Sequence, residues 1–424
     1  MIRSFTIGVP IYSRSTGELT ACLERFRDVS DAHCAQAGLA PRTRRLTLPP
    51  PSLDAEAAPG ALRSVIDGVR GLADACGARW YCLPLDLFEE RGRSSLLEEA
   101  RALVLRDSRL FLNLIVADAD TIAMHAAEAA SRFVLNLARR SNNGIDNFRV
   151  GISAACPAGT PFFPFSRHEG DAPAFSIAME TTATALALAR QARQAHWSLS
   201  DFQDALIQAL AADMTRIQAL GLAIEAESGV RFRGMDGSFA PFPDNETSVA
   251  RLVELLGPSP VGAHGSVFIT SVLTDALKQA AQRAAVRTVG FNGVMYSVLE
   301  DNGLTDANNL RALSLEKLAL LSTVCGCGID MVPVPATMFP EDMTGLVLDI
   351  ATLAVRLRKP LGVRLLPIPN RAINEYTQLN LDFLCDSRVM DPGISASKPI
   401  LNNTLWRYSA TRDSTARDAE NPGT

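Results

Sequence analysis

Histidine is scarce in this sequence, five in 424 residues, and long runs of lysine or arginine are missing. Acidic residues outnumber basic ones, 46 to 41, for a formal charge of −5. That balance argues against nucleic acid or an anionic membrane as the main partner. Charges interrupt the apolar runs well before the roughly 20 residues of a membrane span. The start, Met1-Ile-Arg-Ser-Phe-Thr, lacks a charged region leading into a long apolar one, so the expected location is cytoplasmic. No Gly-x-x-x-x-Gly-Lys occurs and no Gly-x-Gly-x-x-Gly follows the first strand, which weakens a nucleotide reading. A Gly-x-Ser-x-Gly elbow and a His-Glu-x-x-His helix are also absent. Of eight cysteines, Cys22, Cys34, Cys76, Cys82, Cys156 and Cys385 are scattered without zinc-ligand spacing. They read as small buried hydrophobes in a reducing compartment.

Apolar residues make up 47% of the chain and charged residues 21%, enough for a sizeable core. Strand and helix patterns alternate nearly throughout. Expected strands cover 4–11, 44–48, 79–83, 110–117, 147–154, 230–235, 288–298, 329–334 and 361–366. Helical periodicity covers 61–75, 119–139, 181–194, 199–225, 266–284, 314–324 and 342–358. Ser200 before Asp201, and Ser314, supply helix-start chemistry. The alternation points to a largely parallel sheet, and the strand number favours a roughly ten-stranded α/β barrel over an eight-stranded one. A single domain is expected over 1–390, with an irregular lid-like loop near 157–174. A C-terminal extension, 391–424, ends in a polar tail that reads as disordered.

Four polar clusters sit at strand ends or glycine turns, where α/β folds place ligands. In Thr323-Val-Cys-Gly-Cys-Gly-Ile-Asp330 the glycines let a turn present Cys325, Cys327 and Asp330 together. A reactive Cys325 thiolate there needs a neighbouring cation or base. Val261-Gly-Ala-His-Gly265 sets His264 ahead of a long helix, as a general base or metal ligand. Glu300-Asp301 forms a pair of carboxylates suited to a cation or a shared proton. Asp236, between glycines, can hydrogen-bond a ligand or hold His264. On the irregular loop, Arg167-His168-Glu169 reads as an exposed charged patch. Arg364, in an apolar strand, calls for a carboxylate partner, from Asp330 or from a ligand.

The order of these pieces resembles an uncharacterised bacterial and archaeal family, domain-of-unknown-function family 711, grouped by fold with pyruvate formate-lyase-like enzymes. The resemblance is carried by Met214-Thr-Arg-Ile217, Gly229-Val-Arg-Phe232 with Asp236, Ala240-Pro-Phe-Pro243, Val261 to Gly265, Leu273-Thr-Asp275, Gly293-Val-Met295 with Glu300-Asp301, and Cys325 to Pro335. It implies a ten-stranded α/β barrel with the Cys325 turn near its interior, and a homodimer. It does not imply glycyl-radical chemistry: Arg388-Val-Met-Asp-Pro-Gly393, the nearest run, does not have the glycine and aromatic of a radical loop in place.

Three functional expectations follow. The first is a non-radical lyase or isomerase acting on a small polar carboxylate. Cys325, His264, Asp330 and Asp236 are its catalytic set, and Arg167, His168, Arg364 and Glu300 its substrate-binding set. The second puts a divalent metal on Glu300, Asp301, Asp330 and His264. The third is a non-catalytic metabolite binder on the same scaffold.

Overall fold

Strand–helix alternation resolves into one eleven-stranded mixed sheet in the computed structural model, which describes residues 2–51, 60–88, 93–395, 400–401 and 404–408. The tail expected over 409–424 lies outside the described residues. The strands are β1 (Ile2–Gly8), β2 (Pro41–Thr47), β3 (Ala78–Asp86), β4 (Leu110–Ala117), β5 (Thr121–Ile122), β6 (Val150–Ala154), β7 (Ala174–Met179), β8 (Arg231–Asp236), β9 (Gly328–Pro335), β10 (Leu361–Ile368) and β11 (Trp406–Arg407). They lie in the order β8-β7-β1-β2-β3-β4-β6-β10-β9, with β5 and β11 branching from β4. From β1 to β6 along this path all pairs are parallel, as are β7 with β8 and β9 with β10. Antiparallel seams join β1 to β7 and β6 to β10. Parallel neighbours need long crossovers, and the helices supply them.

The expected strand over 288–298 is not continuous. It forms isolated parallel bridges, Met235 with Thr288 and Phe239 with Val294 on the β8 side, and Ser297 with Asp330 on the β9 side. Gly290 and Asn292 have positive φ, which breaks the regular pleat between those bridges.

One face of the sheet is apolar. Phe5 and Ile7 of β1, with Phe175 of β7 and Phe232 of β8, pack against helices Thr16–Gln36 and Leu199–Ser228, and Phe5, Phe26 and Phe175 make edge and tilted ring contacts. Each such ring buried stabilises by about 1.5–3 kcal/mol. The Leu199–Ser228 helix opens with a capping box at Ser198 and Asp201, two residues earlier than the Ser200 start. Ser314 caps Leu315–Leu321 as expected.

The alternate residues of the same strands turn to the second face, and there the irregular loop lies. Thr6 Oγ1 donates to Pro161 O (3.0 Å), Cys82 Sγ to Pro164 O (3.2 Å) and Asn113 Nδ2 to Ser166 O (3.3 Å). The His168 amide returns to Leu48 O at 2.9 Å. Glycines make the room: a Cβ at Gly151 would lie 2.5 Å from Pro164 Cγ, and one at Gly362 would lie 2.3 Å from Phe165 Cε1. Residues 160–166 are all buried, so this part of the expected lid is packed into the molecule, with Phe162 and Phe163 at its middle. Part of the C-terminal extension docks on the body too, where β11 pairs with β5 and Tyr408 Oη reaches Thr352 Oγ1 at 3.4 Å. No helix among the described residues is long and apolar enough to cross a membrane.

Candidate functional site

Asp330 of β9 and Arg364 of β10 are register partners, which sets a carboxylate beside a guanidinium on adjacent strands. Arg364 Nε donates to Asp330 Oδ1 at 2.5 Å, and Nη2 donates to Asp330 Oδ2 and to Glu300 Oε2, both at 2.8 Å. The fork matches the carboxylate in the bidentate geometry that makes such pairs strong. Ser297 Oγ donates to Glu300 as well. Arg364 is 4% exposed and Asp330 6%, so both charges depend on one another rather than on water. Burial pushes the Glu300 carboxyl up, but Arg364, Ser297 and Arg3 outweigh it and hold the group below its ordinary value. At Asp330 burial wins over Arg364 and the carboxyl is raised. Glu300 and Asp330 share one guanidinium, and their carboxyls are shifted in opposite directions.

Two further arginines stand within charge range. Arg3 lies over the Phe242 ring at 4.0 Å and the Phe162 ring at 5.8 Å, and Nη2 donates to Pro241 O at 3.1 Å. Its Nη1 is buried with no partner among the described residues. Arg45, 8% exposed, lies 5.3 Å from both Trp80 and Phe163. It donates to Pro161 O (3.3 Å) and Thr43 Oγ1 (3.2 Å), with no carboxylate at ion-pair distance among the described residues. Burial, then repulsion from Arg3, presses its pKa down to about 9, which leaves it cationic at neutral pH. Three cations, the partly buried Arg3 and the buried Arg45 and Arg364, therefore face two anions, Glu300 and Asp330.

The other expected residues each make contacts of their own. Asp236 is fully buried and accepts from Ser238 Oγ (2.6 Å), Phe291 N (2.7 Å) and Asn292 N (3.1 Å), so it ties the 290–293 turn to β8. Asp301, also fully buried, accepts from Ser248 Oγ and Val249 N, both at 2.6 Å, and from Gly303 N at 2.8 Å. It caps helix Asn302–Asn309, while Glu300 beside it faces Arg364; the two carboxylates diverge. Among the described residues no group of three His, Cys, Asp or Glu is arranged to hold a metal ion. His264 is exposed in the turn ahead of helix Ser266–Arg283, and no hydrogen bond among the described residues joins it to Cys325 or Asp236.

Cys325 and Cys327 are 1% and 2% exposed, in a turn packed so closely that a Cβ on Gly326 would lie 2.9 Å from Gly293 Cα. A hydrogen bond from Cys327 holds the Cys325 thiol below its ordinary pKa against the effect of burial, helped by the Lys359 ammonium; Cys327 is raised in turn. Lys359 donates to the carbonyl oxygens of Ser322 (3.0 Å) and Cys325. That supplies the cation the thiol called for, though the pair is closed to solvent.

The charged patch expected at 167–169 is only partly exposed. His168 is 2% exposed, with Nε2 3.0 Å from Gly170 O and its ring against Gly8; burial, then Arg233, lowers its pKa to about 4. Arg167 is half-buried, Nε donating to Cys156 O at 3.4 Å and Nη1 3.5 Å from Glu169 Oε2.

Fold and site together define a mixed α/β protein with an arginine–carboxylate centre beneath a buried loop. The family model described as Uncharacterised ACR (DUF711) matches residues 2–380, and the chain belongs to that family. It is 32% identical over 293 residues to a UPF0210 protein of Pyrobaculum arsenaticum, covering 68% of this chain and 64% of that relative, just under two thirds of its length. A UPF0210 protein of Pyrobaculum aerophilum is 29% identical over 367 residues, 84% of this chain and 80% of its own. One of Methanocaldococcus jannaschii is 27% identical over 287 residues, 66% of this chain and 62% of its own.

Proposed function

We propose that this protein binds a small carboxylate metabolite at the Arg3–Arg45–Arg364 centre and acts on it by non-radical acid–base chemistry of lyase or isomerase type. The observation that carries this reading is the uneven charge: among the described residues, Arg45 and Nη1 of Arg3 are buried cationic donors without an acceptor of opposite sign. A ligand carboxylate supplies what they lack, because a buried charge is tolerated only when it is paired. Glu300, held ionised, is the base of the proposal, and Asp330, ion-paired through both oxygens, holds Arg364 in place for the ligand. In this arrangement 288–298 acts as a tenth strand that closes the sheet into a barrel. The bridges to β8 and to β9 support the closure. Phe162 and Phe163 then roof the centre from inside.

Proton exchange at the α-carbon of carboxylates and keto acids, followed by NMR in D2O, tests the proposal. Exchange by the wild type is expected, with Glu300→Gln lowering kcat by about 100-fold or more. Arg45→Met should instead raise KM by about tenfold, the loss of one charge-assisted contact. Failure of every carboxylate to bind would sink the reading. Both Asp330 oxygens are engaged by Arg364, and this favours a second reading in which the centre binds its ligand without turnover. Tight binding with no exchange would select it.

A further inference from the structure

We propose a second anion site, independent of the first, that takes a phosphate group, free or as the monoester of a small metabolite. It is a cavity of about 350 Å³ lined by Arg231, Arg233 and Arg287, with Thr288, Glu225 and Ala158 completing the wall. The cavity lies at the start of β8, and β8 ends at Asp236, beyond which Pro241 accepts from Arg3 of the first centre. At about 3.3 Å per residue, the length of that strand separates the two places.

None of the three guanidiniums has a carboxylate partner among the described residues. Arg233 Nη2 donates to the backbone oxygen of Glu169, and its Nε is buried with no acceptor among the described residues. Arg287 Nη1 donates to Phe232 O at 3.3 Å. Burial, then Arg231, lowers the Arg233 pKa, so these cations repel one another where they meet. Glu225 is the one acid in the lining, which leaves two positive charges in excess. A dianion balances that excess. Guanidinium forks match phosphate oxygens in pairs, and the Thr288 hydroxyl adds a neutral donor. The volume falls at the lower end of the range for small-molecule sites, enough for a phosphate with a short carbon chain and too little for a nucleotide.

The site also meets the buried loop at its base. Ala158 lines it, and a Cβ on Gly159 would lie 2.9 Å from Arg233 Cδ. An occupant therefore fixes the side chain against which the loop enters the molecule.

Calorimetric titration of the full chain in low-salt buffer with inorganic phosphate, glycerol 3-phosphate and chloride tests the proposal. The comparison variant is Arg231→Gln with Arg287→Gln; both side chains are exposed, so the fold should hold, as circular dichroism would verify. Saturable binding of phosphate or its ester by the wild type is expected, weakened about tenfold or more in the double variant. Arg45→Met, which alters the first centre alone, should bind as the wild type does. A tighter ester identifies a metabolite as the occupant, and equal affinities identify free phosphate; either order supports the site. Absence of saturable binding up to concentrations on the order of 10 mM, chloride competing equally, or an unchanged double variant would overturn it.

Discussion

Arg364 holds two carboxylates with one fork, so its loss has a larger effect than the loss of an ordinary surface pair. Arg364→Met is expected to lower stability by about 3–5 kcal/mol, because Asp330 and Glu300 are left as unpaired buried charges. Urea denaturation checks this, and Asp330→Asn in the same background should recover part of the loss. His168 gives a pH signature of its own. An unfolded histidine titrates near about 6.5, whereas burial and Arg233 bring the folded one to about 4. Between those values the unfolded chain carries more protons, so stability drops as pH falls through the window and levels off below it. His168→Gln should flatten that slope in denaturation curves taken from pH 7 down to 4. Asp330 and Arg364 were legible in the sequence, since a lone charge in an apolar strand advertises a partner. Arg3 was not. Strand parity puts it on the side of Phe5 and Ile7, but the register shift between Ile2 and Ser4 against β7 re-aims it. His264 is the opposite case: flanking glycines marked it, and the structure places it in solvent.

Among the elements, the buried loop is the one whose place depends most on glycines elsewhere. Gly362→Ala should destabilise by about 1–3 kcal/mol through overpacking against Phe165. Phe165→Leu in the same chain should restore part of it, measured as a recovered midpoint of thermal unfolding. Gly326→Ala meets the Gly293 backbone instead, so no side-chain truncation should rescue it. Some regular elements were readable from periodicity: helix Ala61–Ala75 and strand Leu110–Ala117 fall where the pattern puts them, whereas helices Thr16–Gln36 and Arg93–Arg106 were not among the expected ones. Strand β7 was missed because Ala-Phe-Ser-Ile-Ala-Met is buried on both faces and has little β-branching, so neither alternation nor propensity marks it. The loop was recognised by its length and composition. What covers it depends on Gly151 and Gly362, more than 200 residues apart in sequence, and no local pattern carries that.

At the scale of the whole molecule, the proposed closure makes a statement about hydrogen exchange. The Met295 amide donates to Phe239 O at 3.1 Å and the Gly326 amide to Val294 O at 2.6 Å. Both should exchange only with global unfolding, as is expected of the amides of β1, paired on both sides; fast exchange at these two positions would show an open seam. The homodimer implied by the resemblance is checked by light scattering, against a chain mass of 45.5 kDa.

The two antiparallel seams have an electrostatic consequence. Strands β1, β2, β3, β4 and β6 run one way, and β7, β8, β9 and β10 run the other. Helices that return the chain between parallel strands run against them, so in a one-way barrel all the helix N-termini, with their partial positive charge, gather at one mouth. Here helices such as Thr16–Gln36 and Pro340–Leu357 belong to opposite halves, and their peptide dipoles oppose. Neither end of the sheet inherits an anion-attracting field from its backbone. In a chain of net charge −5, that attraction has to come from side chains, and each end of β8 has its own set of arginines.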